Sequence, residues 1–270
     1  MSDRENGTVI QSVKRAMQLL SLFAPHRTPS APPRAQWTVT DLSRATGLHK
    51  SVVTRMMATM AQEGFVVQDP VTKAYSVGPL AFAVGNAYRP HLVLSQAARP
   101  VMEELTARCG HASYLGVPAG QHYIFVVAVE STRSIRVTIE VGERRLYHSG
   151  AIGKILLAAM PDERIRQVVG SDPLPKVTPY TIDRIERLLD EVNAVRRSGI
   201  AYNREEAIVG AGSVAVGIHD ARGECVAGLG IVFPTHIVSE AEVEALVPLV
   251  RTAGTEISQR LGAGVSGEHS

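Results

Sequence analysis

The stretch TVTDLSRATGLHKSVVTRMMATMAQEG, running from Thr38 to Gly64, decides the fold of the first part of the chain. Thr40 to Thr46 is compatible with a short helix, and Thr38 or Thr40 supplies the oxygen that caps its first N–H groups. Gly47 breaks the pattern. A second helix is predicted from about His49-Lys50-Ser51 to Gln62, with Val52/Val53, Met56/Met57 and Met60 at helical spacing and Gly64 closing it. A short helix, a glycine-containing turn and a second helix make a helix-turn-helix. With Val53, Met56, Met57 and Met60 inward, Lys50, Ser51, Thr54 and Arg55 share the outward face, and His49 stands just ahead of them.

Downstream the period changes to two. Phe65–Val67 and Ala74–Val77 flank Gln68–Lys73, whose Asp69 and Pro70 make a turn, so a small hairpin follows the second helix. A helix-turn-helix with such a hairpin is a winged helix. Upstream, Val9–Ala24 reads as a helix with Val13, Met17, Leu20 and Leu22/Phe23 on one side, ended by Pro25 and a Pro-rich loop at 26–34. Helix-turn-helix proteins place the first residues of the second helix against base edges. Arg and Lys reach guanine acceptors there, and Ser or Thr donates or accepts. A solvated basic helix face is the other reading of the same residues. The hairpin favours DNA, because Lys73 at its tip is placed to touch a phosphate. His49, Lys50, Ser51, Thr54, Arg55 and Lys73 are the candidate contacts.

The chain has 270 residues and a formal net charge of +2, enough for one large domain or two ordinary ones. That balance is uneven: Met1–Leu80 carries nine Lys/Arg against five Asp/Glu, and the remainder is slightly acidic. Only Cys109 and Cys225 are present, too few for a disulfide framework or a cysteine-based zinc site. With no apolar leader at the start and no apolar run near the 20 or so residues of a membrane span, a cytoplasmic protein without a membrane partner is expected.

Pro79–Tyr88 is predicted as a linker helix ending near Pro90, and Leu92–Arg108 as an amphipathic helix containing Pro100. Strands are predicted at Ala112–Val117, His122–Val129 and Ile135–Val141. Helices follow at Gly153–Met160 and Ile182–Ser198, then strands at Ala201–Arg204, Ser213–His219 and Cys225–Phe233, and a last helix at Glu240–Leu261. The whole reads as α+β, with a mostly antiparallel sheet and helices packed on it.

Catalytic motifs fail on inspection. Gly210-Ala-Gly212-Ser-Val-Ala215 has dinucleotide spacing but precedes a strand instead of opening a helix. Gly150-Ala-Ile-Gly153-Lys154 lacks the remaining residues of a phosphate loop. Glu205 and Glu206 would face opposite sides of a strand. The nine histidines show no metal-ligand spacing, so no metal or cofactor is expected. Ser149–Lys154 lies between a strand and a helix. It is either an anion site made of free helix N–H groups or a plain helix start with glycine for the turn.

Taken together these pieces resemble the IclR family of bacterial transcriptional regulators, over about Val9 to Leu261. The matching stretches are Ser12–Leu20, Val39–Leu42 through Ala45–Leu48, Arg55–Met57 into Glu63–Val66, and Tyr75–Gly78. In the second half they are Ser149–Ala158, Gly199–Ala201 with Glu205-Glu206, and Val214–Asp220. The resemblance implies a winged helix-turn-helix domain at 9–78, a linker helix at 79–90, and a GAF-like effector-binding and oligomerisation domain at 91–262. It implies dimers, or dimers of dimers, on a pseudo-palindromic operator in double-stranded DNA, and a small-molecule effector that changes operator affinity. Some members repress and some activate.

In members that bind small acids, two backbone N–H groups hold the carboxylate; the resemblance puts these at Ala151 and Ile152. An acidic pocket residue corresponds to Asn203, a Cys or Ser to Ser213, and two serines one residue apart to Gly230 and Val232. One hydroxyl is kept, the acid is lost, and Gly and Val replace the serines. The expectation is a larger, less polar effector than a glyoxylate-like acid, in a pocket widened at Gly230 with an apolar wall at Val232. The alternative function is a small-molecule enzyme or sensory module fused to a winged helix, against which stands the lack of a catalytic constellation.

Overall fold

The computed structural model describes residues 9–24, 36–87 and 89–264. The chain divides after Arg89 into two compact units.

The first unit begins with α1 (Gln11–Ser21), α2 (Val39–Thr46) and α3 (Lys50–Gln62). Strands β1 (Val66–Gln68) and β2 (Tyr75–Val77) then pair antiparallel, and α4 (Pro79–Asn86) follows. Thr38 is the N-cap of α2, its side chain accepting the Asp41 N–H at 3.2 Å. Gly47 ends that helix at φ +70°, a left-handed conformation glycine adopts without a Cβ penalty. The core gathers Leu19, Leu42, Val53, Met57, Met60, Val66 and Tyr75. Met56 is only partly buried.

One expectation about α1 is corrected. Val13 and Met17 are more than half exposed, and the buried residue is Leu19, with Leu20 and Phe23 packed beside the core. The Pro-rich loop at 26–34 lies outside the described residues, as does Tyr88 at the expected end of the linker helix.

The division falls at the first residue of α5 (Arg89–Cys109), a helix that begins three residues earlier than the sequence suggests because Pro90 falls in its first turn, where no N–H is needed. The sheet of the second unit comprises β3 (Ala112–Ala119), β4 (His122–Val129), β5 (Arg144–Leu146), β6 (Ile200–Arg204), β7 (Ala211–His219) and β8 (Cys225–Pro234). Their order is β5-β4-β3-β8-β7-β6, antiparallel throughout. Helices α6 (Ala151–Ala158), α7 (Asp162–Val169) and α8 (Ile185–Ser198) cover one face. Helix α5 and α9 (Glu240–Arg260) cover the other. Strand alternation sorts the two layers: Val214, Val216 and Ile218 join the α5/α9 core, and Ala215 between them joins the α6–α8 core.

The expected strand at Ile135–Val141 does not form. The Tyr114 hydroxyl donates to the Val137 carbonyl and accepts the Ile139 N–H, both at 3.1 Å, so a side chain takes the place of a ladder. Strand pairing resumes at β5, which the sequence did not announce, nor did it announce α7.

Candidate functional site

In the first unit, α3 presents His49, Lys50, Ser51, Thr54 and Arg55 on one exposed face, while Val53 and Met57 anchor the helix from behind. Among the described residues neither Lys50 nor Arg55 has an ion-pair partner, so both cations are available. Two hydroxyls are locally engaged. Thr54 Oγ1 donates to the Lys50 carbonyl at 2.9 Å, and Ser51 Oγ lies 2.9 Å from His49 Nδ1. His49 is also the N-cap, its Nδ1 accepting the Ser51 N–H at 3.4 Å. The sequence placed the helix start near His49; what it did not show is that the imidazole itself is the cap.

The hairpin turn is folded by Asp69, whose Oδ1 accepts the N–H groups of Val71 and Thr72 at 2.8 and 2.7 Å. Those bonds hold the Asp69 carboxyl below its usual range. Lys73 is exposed at φ +58°, just before the second strand of the wing.

In the second unit, one cavity is lined by all six residues singled out for the effector: Ala151, Ile152, Asn203, Ser213, Gly230 and Val232. Its floor is the start of α6. Gly150 is the N-cap and makes no side-chain cap bond, so the first-turn N–H groups of Ala151 and Ile152 have no carbonyl one turn behind them. Ser213 and Asn203 are direct partners across β6 and β7, and Val232 is the partner of Ser213 across β7 and β8.

The cavity is small, about 30 Å³. Gly230 does not widen it. A Cβ there would stand 3.2 Å from Ile152 Cγ1, and Cβ atoms at Gly116 and Gly228 would each fall 2.9 Å from Ile152 Cγ2. Three glycines on β3 and β8 therefore make a trough that the Ile152 side chain fills.

Sequence reasoning missed Tyr123, Phe125, Ile139, Arg145 and Ile208 in the wall. Burial pushes the Tyr123 phenol well above its usual range, so it stays a neutral donor. Arg145 was legible in principle: in a strand, Glu143 and Arg145 share a face and Arg144 does not.

Lys154, one turn along α6, is fully buried and does not line the cavity. Its Nζ donates to Glu206 at 2.9 Å, Glu191 at 3.2 Å and the Tyr202 carbonyl at 3.1 Å. Glu205 and Glu206 are separated by a turn at φ +63° rather than by strand alternation. Glu205 instead accepts from Gly210 N and Thr235 Oγ1, both at 2.9 Å, which holds its carboxyl low. Among the described residues no group of three or more His, Cys, Asp or Glu could hold a metal, and no helix is long and apolar enough to cross a membrane.

A helix-turn-helix with a basic exposed second helix, on one chain with a donor-rich cavity in a sheet domain, defines a ligand-responsive DNA-binding regulator. The comparisons narrow the class. Residues 87–259 match the family described as "Bacterial transcriptional regulator IclR C-terminal", and residues 12–70 the one described as "IclR helix-turn-helix domain". The chain belongs to the IclR family of bacterial transcriptional regulators. It is 31% identical to the HTH-type transcriptional regulator KdgR of Dickeya chrysanthemi over 224 residues, 83% of this chain and 73% of that protein. It is 29% identical to the regulator BhcR of Paracoccus denitrificans, covering 94% and 88%. Among solved structures, an IclR homologue from Microbacterium hydrocarbonoxydans complexed with 4-hydroxybenzoate superposes with a TM-score of 0.73 at 25% identity, covering 93% of this chain and 98% of that one.

Proposed function

We propose that residues 9–78 bind a pseudo-palindromic operator through Lys50, Ser51, Thr54 and Arg55, with His49 setting the helix start and Lys73 on a phosphate. Residues 79–90 connect this domain to an effector-binding and oligomerisation domain at 91–262, and the protein works as a dimer or dimer of dimers without catalysing a reaction. The effector is an aromatic or branched organic acid, with its carboxylate on the N–H groups of Ala151 and Ile152 and its body against Ile139, Phe125, Ile152 and Val232.

The observation that carries the effector reading is the wall itself: apolar side chains with Ser213, Asn203 and the start of α6 as its polar points. A relative complexed with 4-hydroxybenzoate supports the same class. The cavity is tight for an aromatic acid, and the parts of its wall proposed to give way on binding are Ile152 and the Ala207-Ile208 segment. A ligand that binds the shifted arrangement better changes the population of the two, which is what regulation requires. Thermal-shift titration with two panels tests this: two- to three-carbon oxo acids against aromatic and branched acids. Stabilisation by the second panel, with release of operator DNA, is expected; a response confined to the first overturns it.

A further inference from the structure

We propose that Arg145 makes this cavity selective for an anion, sharing the effector's carboxylate with the Ala151 and Ile152 N–H groups, in competition with Glu143. The proposal rests on the effector-pocket reading above and adds the residue that sets its charge preference. Among the described residues Arg145 is the only charged side chain in the cavity wall, and none of them lines it with a carboxylate. Its Cα pairs with that of Tyr123 across β4 and β5, which sets the guanidinium beside the phenol.

A guanidinium carries five N–H donors. Arg145 is 9% exposed, so water does not satisfy them. Its Nε donates to Glu143 Oε1 at 2.7 Å. The same oxygen lies 2.5 Å from Nη2, yet no acceptor is aligned with the Nη2 N–H groups. A buried guanidinium paired to a single oxygen of Glu143, with its Nη2 N–H groups out of line, can re-pair with a planar carboxylate, the partner its fork matches best. The other polar groups of the wall, the Tyr123 and Ser213 hydroxyls and the Asn203 amide, are neutral.

Glu143 gives the idea a sign. It is 2% exposed, and its carboxylate also accepts the Glu140 N–H at 3.4 Å. It balances Arg145 and blocks part of the fork, so an incoming carboxylate must displace it. Removing the Glu143 charge therefore strengthens acid binding, while removing Arg145 weakens it.

The test uses the full-length protein, thermal shift and calorimetry, and matched pairs of benzoate-type acids and their amides, 4-hydroxybenzoate and 4-hydroxybenzamide among them. Wild type should prefer the acid. Arg145→Met should bind it about 10- to 100-fold more weakly, the loss of a charge-assisted pair. Glu143→Gln should bind it more tightly. Arg145→Met alone strands a buried carboxylate, so the double variant Glu143→Gln/Arg145→Met, which leaves no buried charge uncompensated, is the control for folding. It should lose the preference for acid over amide. Equal acid binding by wild type and the double variant, or amides that bind wild type as well as the acids, overturns the role of Arg145 and leaves the aromatic-effector reading standing. A response to no acid at all overturns both.

Discussion

Lys154 Nζ lies 2.8 Å from a carboxylate oxygen of Glu206, and the next two residues after Glu206, Ala207 and Ile208, line the effector cavity. The pair joins α6, whose first turn forms the cavity floor, to the segment that forms its rim. The Glu206 backbone is held as well: Asn203 Oδ1 accepts its N–H at 2.8 Å, and Thr181 donates to its carbonyl at 2.7 Å. Floor and rim are thus tied through one buried ion pair.

Lys154→Met should destabilise the protein by about 3–5 kcal/mol, because Glu206 is left buried without its counter-charge. Lys154→Met combined with Glu206→Leu should recover much of that loss, since a hydrophobic replacement of both partners removes the uncompensated charge. Urea unfolding of the wild type and the two variants checks this. A single-variant cost under about 1 kcal/mol would mean that water already reaches the pair.

Gly230→Ala should destabilise by about 1–3 kcal/mol, the usual cost of overpacking a filled site. The new methyl would meet Ile152 at 3.2 and 3.3 Å. Ile152→Ala on its own costs about 2–5 kcal/mol by opening a cavity. The two together should cost clearly less than their sum, because each relieves the other. Strict additivity in melting curves would break the link between the glycine trough and Ile152. Ile152→Ala should also admit bulkier acids than wild type does.

These two sites show what a sequence can and cannot carry. The helix-turn-helix was legible because Thr38, Gly47 and the Val53–Met60 spacing act locally, and local signals survive folding. The six pocket residues were legible through the resemblance, since Ser149–Lys154 and the strands after it keep a recognisable order. What failed depended on long-range partners. Ile135–Val141 alternates like a strand, but the hydroxyl of Tyr114, some two dozen residues away, takes its backbone groups. Gly230 looked like added room because the sequence does not show that Ile152 fills it. Arg145 drew no reading from the sequence and Lys154 was read only as the end of the Ser149–Lys154 segment, because burial of either cation depends on distant partners.

Acid should weaken the fold as pH falls through and below about 6.5. Burial holds His148 below its usual pKa, against the opposing bond from Nε2 to the Pro175 carbonyl at 2.9 Å. Burial, with a nearby arginine in each case, shifts His111 and His122 the same way. The unfolded chain takes up these protons near pH 6.5, before the folded one does. The stability from neutral histidine is therefore complete above that pH and is lost as pH falls towards the lowered folded values. His148→Gln, which keeps a donor for Pro175, should flatten the fall in melting temperature. An unchanged slope in that variant would assign the effect to His111 and His122 alone.

Arg55→Ala and Lys73→Ala should differ in kind. A base-contacting arginine is worth about 1–3 kcal/mol and its loss relaxes specificity at one position of the operator. A phosphate-contacting lysine weakens all sequences alike and lowers the slope of log K against log salt by about one unit. Both side chains are exposed, Arg55 on α3 and Lys73 in the wing turn, so neither change should move the melting temperature. The net charge of this end, nine basic against five acidic residues up to Leu80, gives a single head only modest phosphate affinity. Useful affinity then comes from two or more heads on one operator, by effective concentration. Gel-shift titrations over a salt series measure all of this. The expected result is a fragment of residues 9–78 that binds far more weakly than the full chain; a fragment that binds as tightly would show that one winged helix suffices.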